Sequence, residues 1–323
     1  MPSSFEALQA NLLSPMVLAF VLGAVATLVR SDLKIPDALY DSLAIYLLLA
    51  IGLKGGVALS EARLAEVALP ALVTIALGVA TPLWCVAILR RLGGLDRVNA
   101  AAIAAHYASV SAVTFIACLA FLQEIGQPYE GFLPALVALL EVPGIVVALL
   151  LARRGAGSHW GETVRELLTG KSVILLAGGL AIGWVTGRTG FSHVAPLFEG
   201  LFKGALVLFL LEMGLVAARR FRDLRRAGPF LIGFGLAMPV LHMALGVGLG
   251  TLAGLSVGGA SVLGILAGSA SYIAAPAAVR IALPEANPSL YLTASLAVTF
   301  PFNLAVGIPL AHALARLMHG GAE

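Results

Sequence analysis

HYASVSAVT (106–114) and GSASYIAAP (268–276) decide how this chain folds. Both stretches lie inside long apolar runs, yet hydroxyls and small residues stand where a lipid-facing helix would carry Leu and Ile. Pro276 removes a backbone donor and favours a break there. A helix that breaks in mid-membrane leaves N–H and C=O groups without intrahelical partners. Such backbone is tolerated only where protein or a cavity surrounds it. Ser and Ala are also common at tight contacts between membrane helices. Two matched segments in two halves of one chain favour a transport site, for which they are the best sequence pointer.

The apolar context extends to the whole chain. Of 323 residues, 60% are hydrophobic and only 11% are charged, and the mean hydropathy is +0.99. Soluble domains are about a quarter charged, so most of this surface must face lipid. A spanning helix needs roughly 20 apolar residues. Ten such spans are expected: 11–31, 36–55, 67–91, 97–123, 131–152, 171–190, 197–218, 228–253, 257–283 and 288–317. The first ten residues lack the basic start of a signal peptide, so the first apolar run reads as a retained membrane helix. Fifteen of the 20 basic residues follow odd-numbered spans, including the run Arg219, Arg220, Arg222, Arg225 and Arg226. The positive-inside rule then puts those loops in the cytoplasm and both termini outside it. A basic run between two apolar spans is an ordinary cytoplasmic loop, so no nucleic-acid partner is expected.

The two halves resemble each other. IGLKGGVALSEARL (51–64) aligns with MGLVAARRFRDLRR (213–226), VSAVTF (110–115) with YIAAPA (272–277), and Pro143 with Pro301, which sets Ser109 opposite Ser271. Five spans per half is an odd number, so the second half enters the membrane upside-down, as in many secondary transporters. The expected fold class is an all-α membrane protein of ten transmembrane helices in two inverted five-helix repeats with crossed discontinuous helices. The repeats occupy 1–152 and 171–323, joined by a cytoplasmic linker at 153–170, and the expected location is the inner (plasma) membrane.

If both spans break at the midplane, two positive helix N-termini can point at one small anion, and hydroxyls add donors that rotate to fit it. The expected substrate-binding residues are Ser109, Val110, Ser111, Thr114, Ser269, Ala270, Ser271 and Tyr272. Glu141 lies deep in the fifth span just before Pro143, and an ionisable group at that depth is functional by default. With Thr299 and Asn303 it forms the expected cation-binding set; it could also exchange a proton. Glu212 is a second intramembrane acid, nearer the cytoplasmic end of its span. His106 and His242 read as hydrogen-bonded packing residues, and Cys85 and Cys118 as buried free thiols. GLGTLA (248–253) fits a loose dinucleotide pattern but follows no strand. The chain has no P-loop, which argues against an ATP-driven pump, and no GxSxG elbow. No organic cofactor and no enzyme activity are expected.

These residues resemble the sodium-dependent bicarbonate transporter family, best known from cyanobacteria. ALPEANPSLYLTASLAVTFPFNLAVGIPL (282–310) carries the family's Asn-Pro-Ser-x-Tyr turn, IGLKGGVAL (51–59) its Gly-Leu-x-Gly-Gly segment, and QPYEGFLPALVALLEVP (127–143) its acid before a proline. The resemblance implies Na+-coupled import of bicarbonate, a homotrimer, and a small PII-like regulatory protein as partner. The loop 153–171 is short for that partner. Where the family's crossing segments carry Ser-Gly-Ser-Thr and Ser-Ser-Ser-Asp, this chain has Ser111-Ala112-Val113-Thr114 and Gly268-Ser269-Ala270-Ser271. The alternatives are another small anion, proton coupling through Glu141, or a non-transporting membrane sensor or scaffold. A Ser109→Ala/Ser271→Ala double variant is expected to abolish anion uptake while remaining folded by size-exclusion chromatography; undiminished uptake would move the site elsewhere.

Overall fold

The computed structural model describes residues 4–152 and 160–320. Part of the expected linker (153–159), with Arg153 and Arg154, and the side chains of Arg225 and Arg226 lie outside the described residues. Among the described residues there is no strand. The helices are α1 (Ser4–Leu12), α2 (Pro15–Leu28), α3 (Asp37–Glu61), α4 (Leu64–Arg91), α5 (Arg97–Tyr107), α6 (Ala112–Glu124), α7 (Leu133–Glu141), α8 (Pro143–Ala152), α9 (Trp160–Leu168), α10 (Lys171–Ser192), α11 (Phe202–Arg220), α12 (Leu224–Leu252), α13 (Val257–Ala267) and α14 (Ala274–Ala282). A last helix, α15 (Pro288–Met318), contains two π-helical stretches, Thr293–Thr299 and Asn303–Gly307.

Among the described residues, 7 helical spans are long and apolar enough to cross a bilayer, and up to 8 if the pair α1–α2, bent by 51°, counts as one. The bend is local chemistry: Ser14 caps α2 by accepting from the Val17 N–H at 3.3 Å, and Pro15 opens the helix. Two of the ten expected segments are not among these spans. Segment 197–218 becomes a π turn (Pro196–Gly200) followed by α11, which carries Lys203, Glu212, Arg219 and Arg220. Segment 257–283 becomes α13, of 11 residues, and α14, of 9, on either side of a break. Polar residues and an interrupted backbone lower these two below a plain spanning helix.

The helices fall into two groups by packing. In the first, α2 lies along α11 and α3 along α10. A β-carbon on Gly214 would run into the backbone carbonyl of Phe20 and the Ala24 nitrogen on α2. One on Gly183 would meet the carbonyl of Leu53 and the Val57 nitrogen on α3. Each crossing thus sets a glycine over a residue's carbonyl and the nitrogen four positions on, so the backbones touch. In the second group, α4 packs on α5 and α8, and α5 on α8; α12 packs on α13 and on the final turns of α15 (Ile308–Met318), and α13 on those turns. The two clusters share one connectivity. α9 is amphipathic: Thr163 and Leu167 are buried while Glu162, Arg165 and Glu166 are exposed, and it rests on α14 and α10. Outward faces of α2 and α10 are apolar, with Leu18, Leu22, Trp184 and Val185 exposed, as a lipid-facing surface requires.

Gly214→Leu is expected to lose about 1–3 kcal/mol or more by overpacking and to lower the melting temperature of the purified protein in detergent. Gly204→Ala on the same helix, where nothing lies within 4 Å of the added carbon, is expected to leave it unchanged or slightly higher.

Candidate anion site at two paired helix breaks

α5 and α13 begin and end alike. Asp96 caps α5, accepting from the Asn99 N–H at 2.9 Å, and Ser256 caps α13, accepting from the Gly259 N–H at 3.1 Å. Each helix runs 11 residues and then stops. The chain resumes at α6 after 108–111 and at α14 after 268–273. Ser111 caps α6 by accepting from the Thr114 N–H at 3.1 Å; the Ser271 hydroxyl accepts from the Ala275 N–H at 3.2 Å. Counted from the starts of α5 and α13, Ser109 corresponds to Ser269 and Ser111 to Ser271. The sequence alignment, which set Ser109 against Ser271, keeps the register of the helices that follow the breaks, Ala112 against Ala274; the two registers differ by two because the second break is two residues longer.

The two breaks bond to each other. The Ser111 N–H donates to Ser269 Oγ at 2.9 Å, and the Ser271 N–H donates to the His106 carbonyl at 2.8 Å. Ser111 Oγ also donates to the Tyr272 hydroxyl at 3.3 Å and accepts from Thr114 Oγ1 at 2.9 Å. Ser269 Oγ donates to the Leu266 carbonyl at 3.0 Å, and Ser109 Oγ to the Glu141 carbonyl at 2.9 Å. Ser109, Val110, Ser111, Thr114, Ser269, Ala270 and Ser271 are all buried, while Tyr272 is partly open and sets its ring edge-on to Phe300. All eight expected anion-site residues therefore gather in one place. Two hydroxyls, Ser109 and Ser269, spend their proton on a backbone carbonyl, and Ser269 Oγ also accepts the bond that ties the breaks together. The first-turn N–H groups of α6 and α14 remain the natural donors to a ligand.

The three expected cation residues sit around this point rather than on one shared atom. Asn303 donates from Nδ2 to the Gly268 carbonyl at 2.8 Å, and its Oδ1 is buried with no partner. Thr299 donates to the Gly235 carbonyl at 2.7 Å and bonds the Tyr107 hydroxyl at 2.7 Å. Glu141 is buried at the break between α7 and α8, with Oε2 unpartnered. It lines a cavity of about 200 Å³ with Ser172 and with Ile273, Ala274 and Ala277 of the second break and α14. α9 closes that cavity with Glu166 and Leu167. A larger cavity of about 500 Å³ lies at the other end of α10, between α3 and α6. Ion pairs Lys54–Glu199 (3.4 Å) and Arg188–Glu61 (2.8 Å) line it.

The Asn-Pro-Ser-x-Tyr turn supports the breaks from outside. Asn287 caps α15 by accepting from the Ser289 N–H at 3.0 Å, with Pro288 at the first helical position. The Asn287 N–H donates to Asn99 Oδ1 on α5 at 2.8 Å. Buried Tyr291 stacks on His106 with ring centroids 4.5 Å apart, and the carbonyl of that same His106 receives the Ser271 N–H. Gly144 lets the start of α8 press on the first break, since a β-carbon there would meet the Ala108 carbonyl. Sequence reasoning missed Tyr107, Ser172 and this role of His106. Tyr107 stood next to the first break as a polar group in an apolar run; Ser172 gave no signal, because a serine at a helix start reads as an end residue.

No curated protein matches the chain. Its sequence matches the profile of the Na+-dependent bicarbonate transporter superfamily over residues 15–316, nearly its full length and both breaks. The chain is a multi-pass membrane protein and belongs to the Na+-dependent bicarbonate transporter superfamily.

Proposed function

We propose that this protein imports a small anion, bicarbonate, driven by Na+. The observation that carries the reading is the pair of breaks bonded to each other through Ser111, Ser269, Ser271 and His106. Two helix N-termini converge there, and their partial positive charge suits one small anion. Ser111, Thr114 and Tyr272 supply hydroxyls that can turn toward it. Cavities at opposite ends of α10 give approaches from the two faces.

The proposed frame is ten membrane segments in two inverted repeats, with both termini outside the cytoplasm in the inner membrane. It is supported by the shared connectivity of the α4–α5–α8 and α12–α13–α15 clusters and by the matched glycine crossings. Repeats 1–152 and 171–323, the linker 153–170, a homotrimer and a PII-like regulator complete the proposal. Glu141, Thr299 and Asn303 are the proposed cation residues. Proton coupling is the second reading. It is favoured by Glu141, whose unpartnered Oε2 lies in a cavity apart from Thr299 and Asn303.

Radiolabelled bicarbonate uptake into proteoliposomes is expected to require an inward Na+ gradient and to fall to background when K+ replaces Na+. Uptake that ignores Na+ but follows a pH gradient would select proton coupling, and no uptake from folded protein would refute bicarbonate as substrate. Ser269→Ala removes the acceptor for the Ser111 N–H, a loss of about 1–3 kcal/mol for a buried unpaired group. It is expected to suppress uptake strongly in protein that still elutes as folded, while Ser269→Thr, which keeps the hydroxyl, retains more. Equal uptake by Ser269→Ala and the unmodified protein would show that the bond between the breaks is dispensable.

A further inference from the structure

A third cavity, of about 320 Å³, opens where α2 ends and α3 begins, against α11. Its polar lining is Thr27, Ser31, Lys34, Asp37, Glu212 and Arg219. Glu212 is 6% exposed, and its Oε2 is buried with no hydrogen-bond partner. The residue lies eight positions inside the end of α11, about 12 Å along the helix axis. A carboxylate at that depth with a bare oxygen is costly unless something supplies a donor or a positive charge. Ile35 and, at the exposed rim, Arg219 line the same cavity, and neither bonds Oε2.

The other groups are hard oxygens. Thr27 Oγ1 gives its proton to the Leu215 carbonyl at 3.1 Å and keeps its lone pairs. Ser31 Oγ accepts from the Leu33 N–H at 3.2 Å and has a further lone pair. The Asp37 carboxylate stands exposed on the same cavity. Carboxylate and hydroxyl oxygens suit hard cations. Lys34, Asp37 and Arg219 are exposed at the rim, where solvent and salt screen them, so the buried Glu212 carboxylate is the charge left to be met, enough for one monovalent cation and too little for a divalent one.

We propose that the cavity floored by Glu212 binds one small monovalent inorganic cation of the Na+ or K+ class, through Glu212, Asp37 and the Thr27 and Ser31 oxygens. This site is separate from Glu141, Thr299 and Asn303, and it does not depend on bicarbonate being the substrate.

The test is equilibrium binding of radioactive sodium to the purified full-length protein, with unlabelled Na+, K+ and ammonium as competitors. Saturable binding is expected. Glu212→Gln should weaken it about tenfold or more, the effect of losing a charged partner. Asp37→Asn, at an exposed position, should weaken it several-fold and serves if Glu212→Gln fails to fold. Glu141→Gln should leave this component intact. Displacement by K+ or ammonium as readily as by Na+ keeps the site and broadens its ion. Wild-type affinity in both Glu212→Gln and Asp37→Asn would overturn the inference, as would the absence of saturable binding or its complete loss in Glu141→Gln alone.

Discussion

A helix that stops halfway through a membrane must replace the backbone hydrogen bonds it gives up, because hydrocarbon offers none and each orphan costs several kcal/mol. Here two helices stop, and each supplies what the other lacks. The Ser111 N–H finds Ser269 Oγ and the Ser271 N–H finds the His106 carbonyl. The neighbouring elements serve this exchange. Tyr291 fixes the His106 ring, Asn303 covers the Gly268 carbonyl, and the Ser109 hydroxyl reaches the carbonyl of Glu141 at a third break.

The rest of the molecule is held by a different kind of contact. At the α2–α11 and α3–α10 crossings the backbones meet directly over Gly214 and Gly183. Such contacts leave little freedom, since no side chain lies between the helices to adjust. The breaks are joined by one backbone bond, Ser271 N–H to the His106 carbonyl, and otherwise through serine and tyrosine hydroxyls, which can turn and exchange partners. Close backbone approach recurs at the breaks, where Gly144 sits over the Ala108 carbonyl, so the hydroxyl bonds are what set the breaks apart from the other crossings.

This division bears on the positions where the chain departs from its family's pattern. Val113 and Ala270 stand where the family's pattern carries serine, yet the hydroxyls that remain are those bonding one break to another or accepting from a first-turn N–H of α6 or α14. The serines kept preserve the geometry of two converging helix ends. In the proposed reading, recognition of an anion falls mainly on backbone N–H groups, which an alanine in place of a serine leaves intact.

The apolar runs, the paired polar interruptions at 106–114 and 268–276 and the unusual depth of Glu141 determined the all-helical membrane class and the place of the breaks, because hydropathy and interrupted helix patterns are properties of local sequence. The count of membrane segments was less secure: α11 carries four charged residues, Lys203, Glu212, Arg219 and Arg220, and α13 and α14 are each too short to span alone. Only the tertiary structure decided that the Ser111 N–H meets Ser269 Oγ, because a bond between two breaks depends on how the helices that carry them cross, which the sequence does not state. It also decided that Tyr107 belongs with Thr299, that Tyr291 rests on His106, and that Glu212 floors a cavity with Asp37. These partners are separated by scores to hundreds of residues, and their meeting is fixed by how rigid helices pack.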